Sequence, residues 1–237
     1  MTNLIALKRA NANCWAHAKP TRNFAGVAAR LVAAPAKARY QTVEKLTGVP
    51  WHFIAVVHER EASQNWNTQL GQGDPLDRVS VHVPAGRGPF KTWEDSAVDA
   101  LVHCTPYAAR NQDWTVGGTL TMLEEYNGLG YAARRVPSPY VWSGTDQYRS
   151  GKYIRDGVYD PNAVDSQFGC AGLLLAMMAL DPTITFDEKT SIVVPSSKLN
   201  PVPPRVSKPS LSNPAKGSIG AAVASVLSTI LATFKRK

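Results

Sequence analysis

The stretch Val49 to Leu76, VPWHFIAVVHEREASQNWNTQLGQGDPL, decides how this chain reads. Pro50 suits the first turn of a helix, where its missing N–H is not needed, and Phe53, Ile54 and Val57 recur at helical spacing ahead of Arg60 and Glu61. The pattern predicts a helix from Pro50 to about Ser63 with an apolar face in the core. Over its last turn the composition switches: His58, Glu59, Arg60 and Glu61 lead into Ala62, Ser63, Gln64 and Asn65. A carboxyl group at such a border between core and cleft suits a general acid, because partial desolvation disfavours the ionised form and raises the pKa. Glu61 is the candidate. Glu59 lies two residues away and points to a different helix face, so at most one of the two enters a given cleft. The alternative for Glu61 is an ion pair with Arg60 or another base on a solvated helix end.

Outward from this stretch, the chain has 237 residues, 44% of them hydrophobic and 19% charged, enough for one domain of about 150 to 190 residues with tails. The net charge of +8 favours an acidic partner, whether nucleic acid, an anionic membrane or an anionic wall polymer. Its distribution narrows the choice. Residues 195–237 hold seven Lys and Arg and no acid, which leaves the body near +1 and gives it no basic groove for nucleic acid. Cys14, Cys104 and Cys170 match neither a metal spacing nor an even disulfide framework, and read as free thiols of a chain made in a reducing compartment. At the N-terminus the apolar patch Leu4 to Leu7 precedes Lys8 and Arg9, the reverse of a secretory signal, so the expectation is synthesis in the cytoplasm without one.

Residues 1–21 lack sustained periodicity and are expected to form a flexible arm ahead of a domain at 22–194. Phe24 to Leu46 reads as one or two helices interrupted or kinked at Pro35, with Gly48 as the stop. Between Asn65 and Phe90, glycines and prolines enclose the alternating run Arg78 to Val83, which predicts a short strand or hairpin arm. Thr92-Trp93-Glu94-Asp95 opens the next helix in the manner of a capping box, and a further helix is expected from Thr119 to Tyr126 with Gly128 as its stop. An aromatic loop then runs from Pro137 to Tyr159, and Asn162 is placed to cap a buried helix from Ala163 to Leu180. Residues 195–217 form a Pro/Ser-rich linker, and 218–237 an apolar segment with a Lys235-Arg236-Lys237 tip suited to an anionic membrane surface. The expected class is mainly α, with a small β arm.

Three pieces carry a resemblance: a buried helix ending Glu61-Ala62-Ser63, a Gly/Pro-rich arm with Asp74, and a later helix ending Glu125-Tyr126-Asn127-Gly128. Over roughly residues 40 to 180 the chain resembles the lysozyme-like superfamily, in its goose-type lysozyme and soluble lytic transglycosylase branch, and phage endolysins built on that fold. In that branch the catalytic glutamate ends a core helix and is usually followed by Ser; here Ala62 stands in that place and Ser63 follows. The resemblance implies a muramidase that cleaves the glycan strands of peptidoglycan, at the cell wall, with Glu61 protonating the glycosidic oxygen. It also implies Asp74 as the second carboxylate, Ser80 as a partner that helps hold the attacking water, and Ser63, Tyr126 and Asn127 as residues beside the substrate cleft, while the aromatic loop suits sugar stacking and offers Trp142, with Tyr126, to the same cleft. Hydrolysis with inversion needs the second carboxylate about 6.5 to 9.5 Å away, whereas a lytic transglycosylase lets the sugar's own hydroxyl close an anhydro ring. Asp74 has its own alternative, as the Asp of an Asp-Pro turn. No cofactor is expected. His52 and His58 are six residues apart rather than four, which disfavours a helical metal pair. The rival from another class is a non-enzymatic basic protein that binds membrane or nucleic acid.

Overall fold

Residues 2–188 are described by the structure, a computed structural model, and among them the chain forms nine α-helices and one two-stranded sheet. In order these are α1 (Leu4–His17), α2 (Ala25–Val32), α3 (Ala34–Thr47), α4 (Trp51–Ala62), α5 (Trp93–His103), α6 (Val116–Asn127), α7 (Gly130–Arg134), α8 (Pro139–Trp142), β1 (Lys152–Arg155), β2 (Val158–Asp160) and α9 (Cys170–Leu180). The class is mainly α. The expected linker at 195–217 and apolar segment at 218–237 lie outside the described residues. No helix among the described residues is long and apolar enough to cross a membrane.

α4 is the core helix, with every residue from Trp51 to His58 buried. Its start is set by local chemistry. Gly48 ends α3 in the left-handed conformation (φ 74°), which a glycine adopts without steric cost, and Pro50 precedes the first helical residue. The Glu44 carboxylate of α3 accepts from the Trp51 N–H at 3.1 Å, so α3 caps α4. Around α4 pack α2, α3, α6 and α9, with α8 seated on α6 and α9, contributing among others Leu31, Leu120, Leu123, Val141, Trp142, Leu173 and Leu174 to one contiguous core. Each such aliphatic side chain contributes about 1.5–3 kcal/mol by leaving water.

Pro35 separates two helices, standing near the start of α3 rather than kinking one long helix. α5 opens on the expected capping box, with Thr92 accepting from Asp95 N–H and Asp95 accepting from Thr92 N–H. α6 begins at Val116, three residues before expectation, because Thr115 caps it through Gly118 N–H.

Four expectations are corrected. Residues 1–21 are not a loose arm: α1 lies along α6, with Asn11 donating to Thr121 Oγ1 at 3.2 Å and Lys8 paired with Asp113 at 2.8 Å. The contact rests on close backbone approach, since a Cβ on Gly117 would meet the Lys8 carbonyl oxygen at 2.5 Å, and such a contact leaves no apolar stripe to read. Arg78 to Val83 forms no strand. That segment folds back on itself through Ser80 N–H to Arg87 O and Gly86 N–H to Ser80 O, so Val79, Val81 and Val83 face outward while Ser80 is buried. The two-stranded sheet instead falls inside the expected aromatic loop, with Tyr153 opposite Tyr159 in an antiparallel hairpin. Finally, α9 starts at Cys170 rather than Ala163, because Asp165 is drawn out of helical register to meet Arg60 and Lys152.

Candidate active site

Three consecutive residues at the end of α4 point three ways. Glu59 meets Arg30 of α2 at 3.3 Å. Arg60 turns to Asp165, both side chains buried, and also donates to Phe168 O at 3.3 Å. Glu61 turns to α8, where the Tyr140 hydroxyl donates to its Oε1 at 2.7 Å. The ion pair that stood as the alternative for Glu61 is thus made by its neighbour, with another acid.

Burial pushes the Glu61 carboxyl above its ordinary pKa, and the Tyr140 hydrogen bond and the Arg60 charge pull the other way without cancelling it. Tyr126 of α6 and Cys170 of α9 complete the surroundings. Burial raises both of their pKa values, and the Glu61 carboxylate raises them further. Tyr126, Tyr140 and Cys170 are all held in the acid form, so Glu61 is the group of this cluster whose carboxyl, raised by burial, is placed to give up a proton. Tyr126 also packs edge-on against Phe53 of α4, with ring centroids 6.3 Å apart, which fixes the ring beside the helix that carries Glu61.

Beyond Glu61 the chain makes an abrupt corner. Ser63 (φ 51°) and Gln64 (φ 59°) are consecutive non-glycine residues in the left-handed region, a conformation that costs on the order of 1–3 kcal/mol each. His58 holds the corner. Burial lowers its pKa to about 4, so the ring is neutral; Nε2 donates to Asn65 O at 3.1 Å and Nδ1 accepts from the Tyr40 hydroxyl at 3.1 Å. Gln64 adds hydrogen bonds to Arg30 O and the Tyr40 hydroxyl, each 3.2 Å. Ser63 itself is exposed at the cap, two residues past Glu61.

The structure gives the remaining expected site residues different settings. Asp74 is buried, and its side chain is engaged by the arm: Oδ2 accepts from Val81 N–H at 3.0 Å and His82 N–H at 3.1 Å, and Oδ1 from the His82 ring at 2.8 Å. Burial works to raise its pKa, but these hydrogen bonds outweigh it and hold the carboxyl below the ordinary value. Ser80, expected to help hold a water, is engaged in the turn of the arm instead, donating to Pro84 O at 3.1 Å and accepting from Arg87 N–H at 2.9 Å. Trp142, expected in the cleft, is 2% exposed and belongs to the core. It follows Tyr140 by two positions on α8, which places the two rings on different faces. Asn127 is the last residue of α6, partly buried, next to Gly128 with its positive φ of 89°.

Two residues of the site were missed by pattern reading. Tyr140 sat in a loop rich in aromatics with nothing local to single it out; the available signal was Ser138-Pro139, a helix opening that puts Tyr140 in a first turn. Asp165 falls within the expected helix from Ala163, and its polar neighbours Asn162, Ser166 and Gln167 give no local sign of a buried partner. A groove of about 360 Å³ elsewhere is lined by Arg30, Arg39, Gln64 and Trp66. It is not a second site of the same kind, because its arginines already pair with Glu59 and Glu94 and Arg39 covers the Trp66 ring. No family model matches the chain, and neither a curated protein nor a solved structure matches it.

Proposed function

We propose that the chain is a lysozyme-like enzyme that cleaves the glycan strands of peptidoglycan, with Glu61 as the general acid. The observation that carries this reading is the setting of Glu61: a partly buried carboxyl at the end of the core helix, raised in pKa, oriented by Tyr140 at 2.7 Å and bordered by Tyr126. A carboxyl so placed is protonated over a wider pH range than a solvated one and can deliver its proton to a glycosidic oxygen. The Tyr126 ring stands beside Glu61 and opens Tyr126-Asn127-Gly128 at the end of α6, the element that borders the cleft in the family the sequence resembles.

The setting of Asp74 bears on the second half of the reaction. A carboxylate that accepts three hydrogen bonds and has a depressed pKa is a weak base, which favours closure of a 1,6-anhydro ring by the sugar's own hydroxyl over activation of water by Asp74. In this reading Asp74 and Ser80 shape the arm.

Glu61→Gln tests the assignment, because the amide keeps the shape and still accepts from Tyr140 but cannot donate the proton. The expected result is a loss of about 10²–10⁴-fold in release of fragments from purified peptidoglycan with unchanged melting temperature. Near-normal cleavage ends the assignment. Mass analysis of the wild-type products then separates a 1,6-anhydro end from a reducing end.

A further inference from the structure

The chain of contacts behind Glu61 has a role that the acid alone does not explain. Arg60 is adjacent to Glu61, and its guanidinium lies 5.0 Å from the centre of the Tyr140 ring, whose hydroxyl is bonded to Glu61. A cation so close is a natural partner for the Glu61 carboxylate. Instead it pairs with Asp165, whose side chain is fully buried. Asp165 is itself heavily anchored: Lys152 of β1 reaches Oδ1 at 2.9 Å, its own N–H donates to the Tyr148 hydroxyl at 3.1 Å, and Gln167 Nε2 returns a hydrogen bond to Arg60 O at 3.2 Å. The loop 163–169 is therefore shaped to bring one carboxylate to one guanidinium.

We propose that Asp165 is a positioning residue for Glu61: it holds the Arg60 guanidinium in a buried ion pair against the Tyr140 ring and so keeps Arg60 from becoming the counter-ion of Glu61. The functional part of this inference rests on the reading of Glu61 as an acid; the electrostatic part does not. Among the described residues, the groups that face Glu61 are Arg60 on its own helix, Tyr126 from α6, Tyr140 from α8 and Cys170 from α9, and Arg60 is the cation of that set. Asp165 in turn faces Arg60, Lys152, Tyr131 and Tyr148. With Asp165 in place the Arg60 charge is offset within a direct ion pair. Without it, the buried guanidinium is left unpaired beside Glu61 and favours its ionised form.

The test is a titration of the Glu61 carboxyl by carbon-13 NMR in the full chain, with the resonance assigned by its absence in Glu61→Gln. In Asp165→Asn the Glu61 midpoint is expected to fall by about one pH unit or more, the scale of an opposite charge brought into play at short range. The alkaline limb of wall cleavage should fall by the same interval, leaving the rate on the acid side of the midpoint nearly intact and reducing it about tenfold well above the midpoint. A merely structural role lowers activity equally at every pH and leaves the midpoint in place, and that result overturns the proposal. The double variant Arg60→Gln/Asp165→Asn removes both buried charges and should restore the wild-type midpoint. A midpoint well above wild type in the double variant shows that Arg60 already acts as the counter-ion of Glu61, which also overturns it. If Asp165→Asn alone does not fold, the double variant decides by the same criterion. The NMR arm separates this inference from the enzymatic reading, since an inactive-looking Glu61 still titrates.

Discussion

The Tyr140 hydroxyl and Glu61 Oε1 lie 2.7 Å apart, joined across 79 residues of chain, and this hydrogen bond opposes the burial that raises the Glu61 pKa. Burial and the phenol thus act on one carboxyl in opposite senses. Burial keeps the proton on, and the phenol stabilises the ion left behind after the proton is given up.

Tyr140→Phe removes the hydrogen bond and little else, because the ring keeps its place in the core. The Glu61 pKa should rise further, moving the alkaline limb of the pH–activity profile upward while lowering the maximum rate. The stability cost should be about 1 kcal/mol, as for a typical lost hydrogen bond. A profile that does not move would show that the phenol plays no part in setting the acid.

Asp74→Asn is expected to loosen the arm at 78–90 rather than to abolish cleavage. The folded-state pKa of Asp74 is depressed, so its stabilising effect is present above the unfolded-state value near 4 and is lost as pH falls through the folded-state value. Thermal unfolding should show wild type ahead of the variant at pH 7 by about 1–3 kcal/mol, the range for hydrogen bonds to a charged group, with the two converging toward pH 3. Limited proteolysis should locate the change in the arm. Cleavage lost as completely as in Glu61→Gln, in a variant of normal stability, would restore Asp74 as the base.

Glu124 on α6 works in the opposite sense. It is 2% exposed, and burial pushes its pKa to about 7 despite hydrogen bonds from the Asn11 side chain and Ala132 N–H. A folded-state value above the unfolded one means that its contribution is fully present below about pH 4 and is lost as pH rises through 7. Glu124→Gln should therefore be more stable than wild type at pH 8 by on the order of 2–3 kcal/mol and nearly equal to it at pH 4. Melting curves at the two pH values check this.

How far the sequence carries is clearest by comparing α4 with Asp165. The helix, its polar end and Glu61 were all legible, because periodicity, a helix-starting Pro and a drop in hydrophobicity are local signals. The Thr92 capping box and the Gly48 stop were legible for the same reason. Asp165 was not, since its partner Arg60 is 105 residues away and nothing near position 165 announces it. Trp142 shows another limit: composition marks a residue as aromatic but not which face of a four-residue helix it occupies. The α1 contact failed to register because small residues and backbone approach leave no hydrophobic pattern.

Gly117→Ala tests that last contact directly. A methyl group there would sit 2.5 Å from the Lys8 carbonyl oxygen, which belongs to helical backbone and cannot swing aside. Overpacking of this kind should cost about 1–3 kcal/mol, and hydrogen exchange should show α1 released before the rest of the fold. Unchanged protection in α1 would mean that the two helices have room to separate without consequence.

The buried pair of Arg60 and Asp165 also sets a schedule. Glu61 leaves the ribosome early, but Tyr140, Asp165 and Cys170 lie in the final third of residues 2–188. Synthesis arrested before Asp165 therefore yields a nascent chain in which Arg60 lacks its buried partner and Cys170 is missing from beside Glu61, so the surroundings of the carboxyl are completed only when most of the described residues have been made.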